Sequence, residues 1–284
     1  MTSSQTSRLF FQDGIELLSG EARRRAIANA ERYANRSTLR PLKDLQLIQA
    51  VRPWLRAKDG GLCRRETHIL TEAGARLVQQ WLDEQGRGER IRWSPAVLEI
   101  DGTNQAHAEA IVDCSIAFTR AVTSPLVFWG WKDDRELMRL AREGATTFQA
   151  GVPDAIFVIT ATVDGRRRHA PFFLELDRGT ETVTALDGRK RDWTAKIERY
   201  ERYFAGGYPA DPLFRGLDQP PVVLVVATSA RRLGNLMEAT LAVTPSRRYR
   251  FTTLGDLIDG PSHELLTGAI WQTVAGDRLP LMTV

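Results

Sequence analysis

The residues best suited to chemistry in this 284-residue chain lie between 151 and 181, where acidic side chains border two apolar runs. The first run opens on Pro153 and Asp154, and the second, after a polar turn that contains glycine, closes on Glu175 and Asp177. If the runs pair as a hairpin, the three carboxylates meet at one end, and Glu175 and Asp177 share a face because strand side chains alternate. Clustered carboxylates stay ionised together around a cation, and Mg²⁺ is commonly held by one or two carboxylates plus waters. The pattern therefore predicts the type of site that a metal-dependent phosphodiesterase uses.

The elements that position these carboxylates are predicted by the apolar pattern from residue 107 onward. In chain order they are a helix at 107–122, a strand at 125–131, a short helix at 133–143, strands at 154–163 and 170–177, a helix at 190–205, a buried strand at 221–228, a helix at 229–242 and a strand at 248–254. Alternating elements of this kind predict an α/β domain with a mixed sheet.

The first 85 residues follow a different pattern. A helix is predicted at 15–35, and a second apolar-periodic segment at 38–57. A turn at 59–61 and a short strand follow, and another helix begins at the predicted cap Thr71. An arginine-bearing helix, a glycine-tipped hairpin and a closing helix together predict a winged helix-turn-helix, a fold in which one helix enters the DNA major groove and the hairpin contacts the backbone.

The distribution of charge favours a nucleic-acid partner for this region. Residues 1–95 hold 17 Lys/Arg and 11 Asp/Glu, whereas the remainder holds 22 and 24. Basic residues concentrated in one segment favour a polyanion, here double-stranded DNA, although an arginine-rich proteome would produce the same bias. The predicted DNA contacts are Arg23, Arg24, Arg25, Arg64 and Arg65. Three consecutive helix positions span about 200°, so one or two of the first three are expected to reach phosphate.

Composition excludes several classes of protein. A chain with 43% hydrophobic and 26% charged residues is of ordinary soluble type, and it has no apolar run of membrane-spanning length. Two distant cysteines and the lack of a secretion signal predict a cytoplasmic protein with reduced thiols and no membrane partner. Four scattered histidines give no zinc-binding spacing, and neither a P-loop nor a Gly-x-Ser-x-Gly elbow is present.

The predicted element order, with Pro153-Asp154 and Glu175-x-Asp177, resembles the core of PD-(D/E)XK nucleases. In that fold an acid on the first helix and two acids on the central hairpin bind metal. A lysine two residues after the second hairpin acid assists the attacking water. The resemblance implies that the α/β domain is nuclease-like.

A longer set of segments, spread over most of the chain, forms a more specific pattern. It comprises LTEAGARL at 70–77, Pro153-Asp154-Ala155, FFLELDRGTE at 172–181, Lys196 with Tyr200, VVAT at 225–228 and FTTL at 251–254. This pattern resembles the replication-relaxation family of plasmid and mobile-element proteins. It implies a winged-helix DNA-binding domain at 1–85, a linker at 86–105 and a PD-(D/E)XK-like domain at 106–284. Compared with such families, the winged region is expected either to lack its first helix or to begin upstream.

The resemblance also implies roles for individual acids. Asp154 and Glu175 are expected to hold Mg²⁺ or Mn²⁺, with Asp177 or Glu109 assisting. The first-helix acid is predicted as Glu109 in preference to Asp113, which lies one helical turn later.

The position two residues beyond Glu175 departs from the nuclease pattern, because it holds Asp177 and not lysine. A carboxylate there cannot supply the positive charge that orients hydroxide or stabilises the transition state. Lys196 on the following helix is the predicted replacement, with Lys190 or Arg178 as alternatives, and an inactive site is the remaining option. In the structural alternative the two acids form ion pairs with Arg178, Arg189 or Lys196.

These observations predict a DNA-binding protein of a plasmid or other mobile element, acting in replication or mobilisation. If the carboxylate site is active, the protein is a metal-dependent DNA endonuclease that nicks its substrate. Two alternatives stay open. In one, a degenerate nuclease fold serves for homodimerisation or for docking replication or mobilisation proteins. In the other, the chain is a winged-helix transcriptional regulator with a ligand-sensing α/β domain.

Overall fold

The computed structural model describes residues 1–12, 14–15, 18–52, 54–56, 62–64, 66–86, 88, 90–95, 102–148, 153–163, 166–179, 183, 193–217 and 219–282. The chain forms two compact units, Met1–Ile116 and Ala117–Val284. The predicted division, with a linker at 86–105, stays a prediction, and residues 96–101 of that linker lie outside the described part of the chain.

The first unit combines helices with a long two-stranded hairpin. Its elements are α1 (Ser3–Phe10), α2 (Gly20–Ala34), a π-helical segment (Asn35–Leu39), α3 (Arg40–Asp44), β1 (Ile48–Val51), β2 (Trp54–Arg56), β3 (Leu62–Arg64), β4 (Thr67–Leu70), α4 (Glu72–Glu84) and most of α5 (Gly102–Ala121). Strand β1 pairs with β4 and strand β2 pairs with β3, both antiparallel. Strands β1 and β2 therefore form one arm of the hairpin, and β3 and β4 form the other. The predicted turn at 59–61 lies outside the described residues, as does Arg65, and the side chain of Arg64 is not described.

Helix α2, the π-helical segment and α3 follow one another without a break, so residues 20–44 form one helical rod. The helix predicted at 15–35 therefore starts later and runs further than expected. The apolar-periodic segment at 38–57 is helical only to Asp44, and its described residues beyond that point include the strands β1 and β2. The chain leaves the helix there because Gln46 adopts a left-handed φ of 57° and Ile48 then pairs with β4.

Helix α4 begins as predicted. The Thr71 hydroxyl accepts a hydrogen bond from the backbone N–H of Gly74 at 3.1 Å, which satisfies one of the free donors of the first turn. Gly74 also lies directly against the carbonyl of Leu47, and a Cβ at this position would be 1.9 Å from that oxygen. The glycine therefore allows α4 to pack against the chain that leads into β1.

The second unit is built around a mixed sheet. Its elements are β5 (Val127–Asp133), α6 (Asp134–Arg142), β6 (Ala155–Val163), β7 (Arg166–Asp177), α7 (Trp193–Arg202), β8 (Val222–Ala227), α8 (Ala230–Val243), β9 (Tyr249–Thr253), α9 (Leu254–Asp259), α10 (Glu264–Thr267), β10 (Trp271–Gln272) and β11 (Arg278–Leu279). Over the described residues the seven strands follow the order β11-β10-β9-β8-β7-β6-β5. Strands β5 to β7 form an antiparallel meander, and β7, β8 and β9 run parallel.

The predicted mixed α/β architecture is confirmed, whereas the winged-helix and PD-(D/E)XK assignments stay predictions. Strand β8 is buried from Val223 to Ala227, as its continuous apolar run indicated, and β7 is buried from Pro171 to Asp177. Helices α7 and α8 cover one face of these strands and bury Trp193, Ile197 and Leu236 against them. In the part of the chain that the structure describes, no helix is long and apolar enough to cross a membrane.

Candidate functional site

The predicted acidic hairpin forms between β6 and β7. Ala155 lies opposite Leu174 in the antiparallel register, which places Asp154 beside the end of β7. There the Asp154 carboxylate accepts a hydrogen bond from the backbone N–H of Leu176 at 2.6 Å. The carboxylates of Asp154, Glu175 and Asp177 are therefore gathered at one end of the sheet, where β7 and β8 also end. Ligand sites of open α/β sheets lie at the carboxyl ends of their strands.

Glu175 is the most deeply buried of these acids, with 1% of its surface exposed. The Lys196 ammonium donates to Glu175 Oε2, and the Tyr200 hydroxyl donates to Glu175 Oε1. Both donors come from α7, where residues four apart lie on the same face. Lys196 therefore reaches the carboxylates as the sequence predicted, and the buried Tyr200 binds Glu175 as well.

Burial controls the titration of this centre. It raises the pKa of Glu175 to about 7, the nearby negative charge of Asp154 acts in the same direction, and Lys196 opposes both. Burial together with the Glu175 carboxylate raises the pKa of Tyr200 as well. Tyr200 therefore stays a donor, while Glu175 changes its protonation state close to neutral pH.

Asp177 lies on the same sheet face but is paired separately. Arg232 of α8 binds both of its carboxylate oxygens, each at 2.7 Å, and the backbone N–H of Gly179 donates at 2.7 Å. This bidentate pair fixes the end of β7 against the start of α8. The sequence missed Arg232, because 55 residues separate it from Asp177 and no local pattern connects them.

The residues at this end of the sheet fit a divalent cation in number and in chemistry. Asp154 is only half-buried, and with Glu175 it offers the two carboxylates that Mg²⁺ commonly uses besides water. Within the described residues no group of three or more His, Cys, Asp or Glu side chains converges on a metal position. A cation here would therefore be held by two protein carboxylates and would share Glu175 with Lys196.

A further acid that the sequence analysis did not select lies close to this centre. The pKa of Asp134, at the start of α6, is raised by burial and by the charges of Asp133 and Asp154. Its backbone N–H donates to the Asp154 carbonyl oxygen at 3.0 Å, which ties α6 to the start of β6. The signal in the sequence was the Asp133-Asp134 pair that closes β5.

The predicted first-helix acid, Glu109, belongs to the first unit. Its carboxylate accepts hydrogen bonds from the Thr67 hydroxyl at 2.6 Å and from the Gln105 amide at 3.0 Å. Its neighbour Asp113 forms an ion pair with Arg8. These contacts tie α5 to β4 and α1, and the role of Glu109 as a metal ligand stays a prediction.

Three of the arginines predicted to contact DNA, Arg23, Arg24 and Arg25, lie at the start of the rod formed by residues 20–44. Arg24 and Arg25 are exposed, whereas Arg23 is half-buried, in line with the prediction that the three do not share one face. Arg25 is partly neutralised by Glu21 one turn earlier. Two of these three predicted arginines are therefore exposed to solvent.

Further arginines extend this surface along the rod. Arg32, Arg36 and Arg40 are exposed and follow Arg25 at spacings of seven, four and four residues, which places them on one helix face. Arg32 donates to Asn29, and neither Arg36 nor Arg40 has an ion-pair partner among the described residues. The sequence analysis did not select the last two because it ended the helix at residue 35.

Comparison with known proteins identifies one family. Residues 1–214 match the family model described as Replication-relaxation. This range contains the arginine face of the rod (Arg25, Arg32, Arg36 and Arg40) and Glu175 with Asp154, Lys196 and Tyr200, which we call the Glu175 centre. No curated protein and no solved structure matches the chain.

Proposed function

Because this chain belongs to the Replication-relaxation family, we propose that it is a replication-associated protein of a plasmid or other mobile element that binds double-stranded DNA. The observation that carries the proposal is the row Arg25, Arg32, Arg36 and Arg40 on one face of a continuous helical rod. Phosphate contacts from such side chains supply most non-specific DNA affinity.

The elements around the rod support a winged-helix mode of binding. Helix α1 precedes the rod and packs against it, with Phe11 in edge contact with Tyr33 at 5.0 Å. The β1–β4 hairpin follows the rod, as a wing follows its recognition helix. In helix-turn-helix proteins the second helix enters the major groove and its first residues contact base edges. We assign this role to α2, so Arg24 and Arg25 face bases while Arg32, Arg36 and Arg40 face phosphates.

The test compares two triple variants of equal net charge. One is Arg32→Gln with Arg36→Gln and Arg40→Gln. The matched control replaces three exposed arginines of the second unit, Arg135→Gln, Arg142→Gln and Arg215→Gln. The readout is the fluorescence anisotropy of a labelled duplex.

The rod variant should bind about 100-fold more weakly, since a charge-assisted contact contributes about 1 kcal/mol or more and about 1.4 kcal/mol is a factor of ten. The control should bind like the wild type. Equal losses in both triple variants would show that net charge alone governs affinity, and the assignment of the rod would fail.

The Glu175 centre favours a second candidate activity, metal-dependent nicking of DNA. Its specific observation is that Lys196 reaches Glu175 from α7 and brings the positive charge that Asp177 cannot supply. A Mg²⁺ or Mn²⁺ ion held by Asp154 and Glu175 would lower the pKa of its bound water and neutralise charge on the phosphate.

The surrounding side chains would prepare this site in distinct ways. Tyr200 fixes the orientation of the Glu175 carboxylate from within the core. Lys196 would hold a water or a phosphate oxygen beside the same carboxylate. The Asp177–Arg232 pair keeps the end of β7 in place and leaves Arg232 occupied.

Incubation with supercoiled plasmid in Mg²⁺ or Mn²⁺, with EDTA as a control, tests the second activity. Wild type should nick the plasmid, and Asp154→Asn and Glu175→Gln should not. Asp277→Asn, which alters an exposed pair with Arg247, is the matched control and should nick normally. Intact plasmid in every lane would overturn the nuclease proposal. The second unit would then serve for homodimerisation or for docking replication or mobilisation proteins.

A further inference from the structure

Strand β5, at one edge of the large sheet, carries an exposed tryptophan at a distance from the Glu175 centre. Trp129 is 45% exposed, and the neighbouring Val127 is 55% exposed. Val127 lies opposite Thr160 of β6, and Thr160 lies opposite His169 of β7. We call the surface formed by Trp129, Thr160, His169 and Arg167 the Trp129 surface.

A bulge in β5 directs Trp129 to this face. The strand register shifts between Trp129 and Lys132, and Gly130 within the shift has a φ of 72°, which L side chains rarely adopt. The Trp129 indole N–H donates to Thr160 Oγ1 at 2.7 Å, whereas Trp131 stacks on Phe157 at 5.5 Å. Positions 157 and 160 of β6 point to opposite faces. In a regular strand Trp129 and Trp131 would share a face. The bulge at Gly130 therefore places them on opposite faces of the sheet.

The exposed indole is held in one orientation. Thr160 Oγ1, which accepts the indole N–H, also forms a hydrogen bond with Nδ1 of His169 at 2.8 Å. The His169 ring meets Trp129 edge-on, with centroids 6.0 Å apart and planes at 87°. Because the indole is fixed from one side and open on the other, it presents a rigid flat apolar surface to solvent.

Positive charge lies on the same face of the sheet as the fixed ring. Arg167 opposes Thr162 in the sheet register and shares a face with His169, two residues or about 7 Å along the strand. Arg166, Arg167 and Arg168 are all exposed, and no described residue forms an ion pair with any of them. Their charge is therefore available to an anionic partner.

We propose that the Trp129 surface binds single-stranded nucleic acid, with one base stacked on the Trp129 ring and a phosphate further along the same nucleic-acid strand bound by Arg167. An exposed aromatic ring that shares a surface with exposed cations is the arrangement by which proteins bind single strands without sequence preference. This activity goes beyond the proposed binding of duplex DNA, because it uses the second unit and a different form of the polymer.

A second copy of this chain, paired edge to edge through β5, fits the surface less well. The bulge at Gly130 interrupts the backbone ladder that such pairing requires, and bulges blunt the edges of sheets against it.

Binding of a labelled 12-nucleotide oligo-dT, followed by anisotropy, tests the proposal. Trp129→Ala should weaken binding by about 5-fold to 100-fold, the range measured for loss of one stacked base, and Trp129→Phe should restore most of the affinity. Arg167→Gln should weaken binding and lower the slope of log affinity against log salt by about 0.7. Arg168→Gln, equally exposed but on the opposite face, is the matched control and should have the smaller effect.

The variants should retain the thermal unfolding midpoint of the wild type within a few degrees, which separates loss of binding from loss of fold. The proposal is overturned if Trp129→Ala binds oligo-dT as wild type does, or if Arg167→Gln and Arg168→Gln are equivalent. A concentration-dependent dimer that Trp129→Ala abolishes, without oligo-dT binding, would assign β5 to a second copy instead. The Arg32/Arg36/Arg40 variant keeps the Trp129 surface, so failure of duplex binding leaves this test intact.

Discussion

Two regions of the molecule, the helical rod and the end of β7, place similar charges in opposite environments. On the helical rod of the first unit, the Arg25–Glu21 pair has side chains that are 76% and 65% exposed. At the end of β7 in the second unit, the Lys196–Glu175 pair has side chains that are 14% and 2% exposed. The Arg232–Asp177 pair is similarly enclosed.

This difference separates charges that meet a partner outside the molecule from charges that hold the molecule together. An exposed arginine stays solvated, contributes little to stability and is screened over about 8 Å at physiological salt. A buried charge must be paired within the fold, since leaving one partner alone destabilises strongly. Substitutions on the rod should therefore change DNA binding without changing stability. Substitutions around Glu175 should change stability without changing DNA binding, unless the Glu175 carboxylate also holds a catalytic metal.

Lys196→Met should have the largest effect on stability. Among the described residues it leaves the buried Glu175 carboxylate with Tyr200 as its side-chain donor, and breaking such a pair destabilises a protein by about 3–5 kcal/mol. Urea denaturation measures the change. Lys132→Met, which removes a half-exposed pair with Glu136, is the control and should lower the unfolding free energy by less than about 1 kcal/mol. Equal losses would contradict the contrast between enclosed and exposed pairs.

The next largest effect is a pH dependence that Glu175→Gln removes. The pKa of Glu175 is about 7 in the folded protein and 4.5 in the unfolded reference, so the folded state binds the proton more tightly. The free energy of unfolding should fall as pH rises from about 5 to 7, by up to about 3 kcal/mol, and level off above that range. Urea denaturation of both proteins at pH 5 and pH 8 measures this. A wild type and a variant with the same pH profile would show that burial does not raise the Glu175 pKa.

Arg232→Met should destabilise by about 2–3 kcal/mol, because it removes both hydrogen bonds of the bidentate pair and leaves Asp177 the Gly179 N–H as a donor. Thermal unfolding measures the loss, and Asp177→Asn combined with Arg232→Met should lose less than the sum of the two single variants. Additive losses would mean that the bidentate pair makes no joint contribution.

The smallest expected change is in the stability of the Arg32/Arg36/Arg40→Gln variant. Each exposed substitution should alter the unfolding free energy by less than about 0.5 kcal/mol. A drop of several kcal/mol in urea denaturation would mean that these arginines hold the fold, and the rod and the end of β7 would not differ in the use of their charges.

Local sequence patterns predicted the parts of the fold that depend on local physics. Two apolar runs with a turn between them predicted the β6–β7 hairpin, alternation along a strand placed Glu175 and Asp177 on one face, and Lys196 was predicted to reach the carboxylates. Thr71 caps α4 as its position before the helix indicated.

The remaining features depend on contacts or backbone states that no local pattern encodes. Arg232 reaches Asp177 only because the parallel pairing of β7 and β8 carries α8 back to the end of β7. Because α2 continues through a π-helical segment, Arg36 and Arg40 lie on the same helix face as Arg25 and Arg32. A single left-handed glycine, Gly130, separated two tryptophans that alternation alone places together.

The salt dependence of duplex DNA binding tests most directly the claim that the arginine face of the rod binds DNA. The slope of log affinity against log salt counts the phosphate contacts. Removing Arg32, Arg36 and Arg40 together should reduce the slope of log affinity against log salt by about 0.9 per contact, or about 2.7 in total. The Arg135/Arg142/Arg215→Gln control should keep the wild-type slope. An unchanged slope in the rod variant, or an equal reduction in the control, would contradict the claim that this helical face binds DNA.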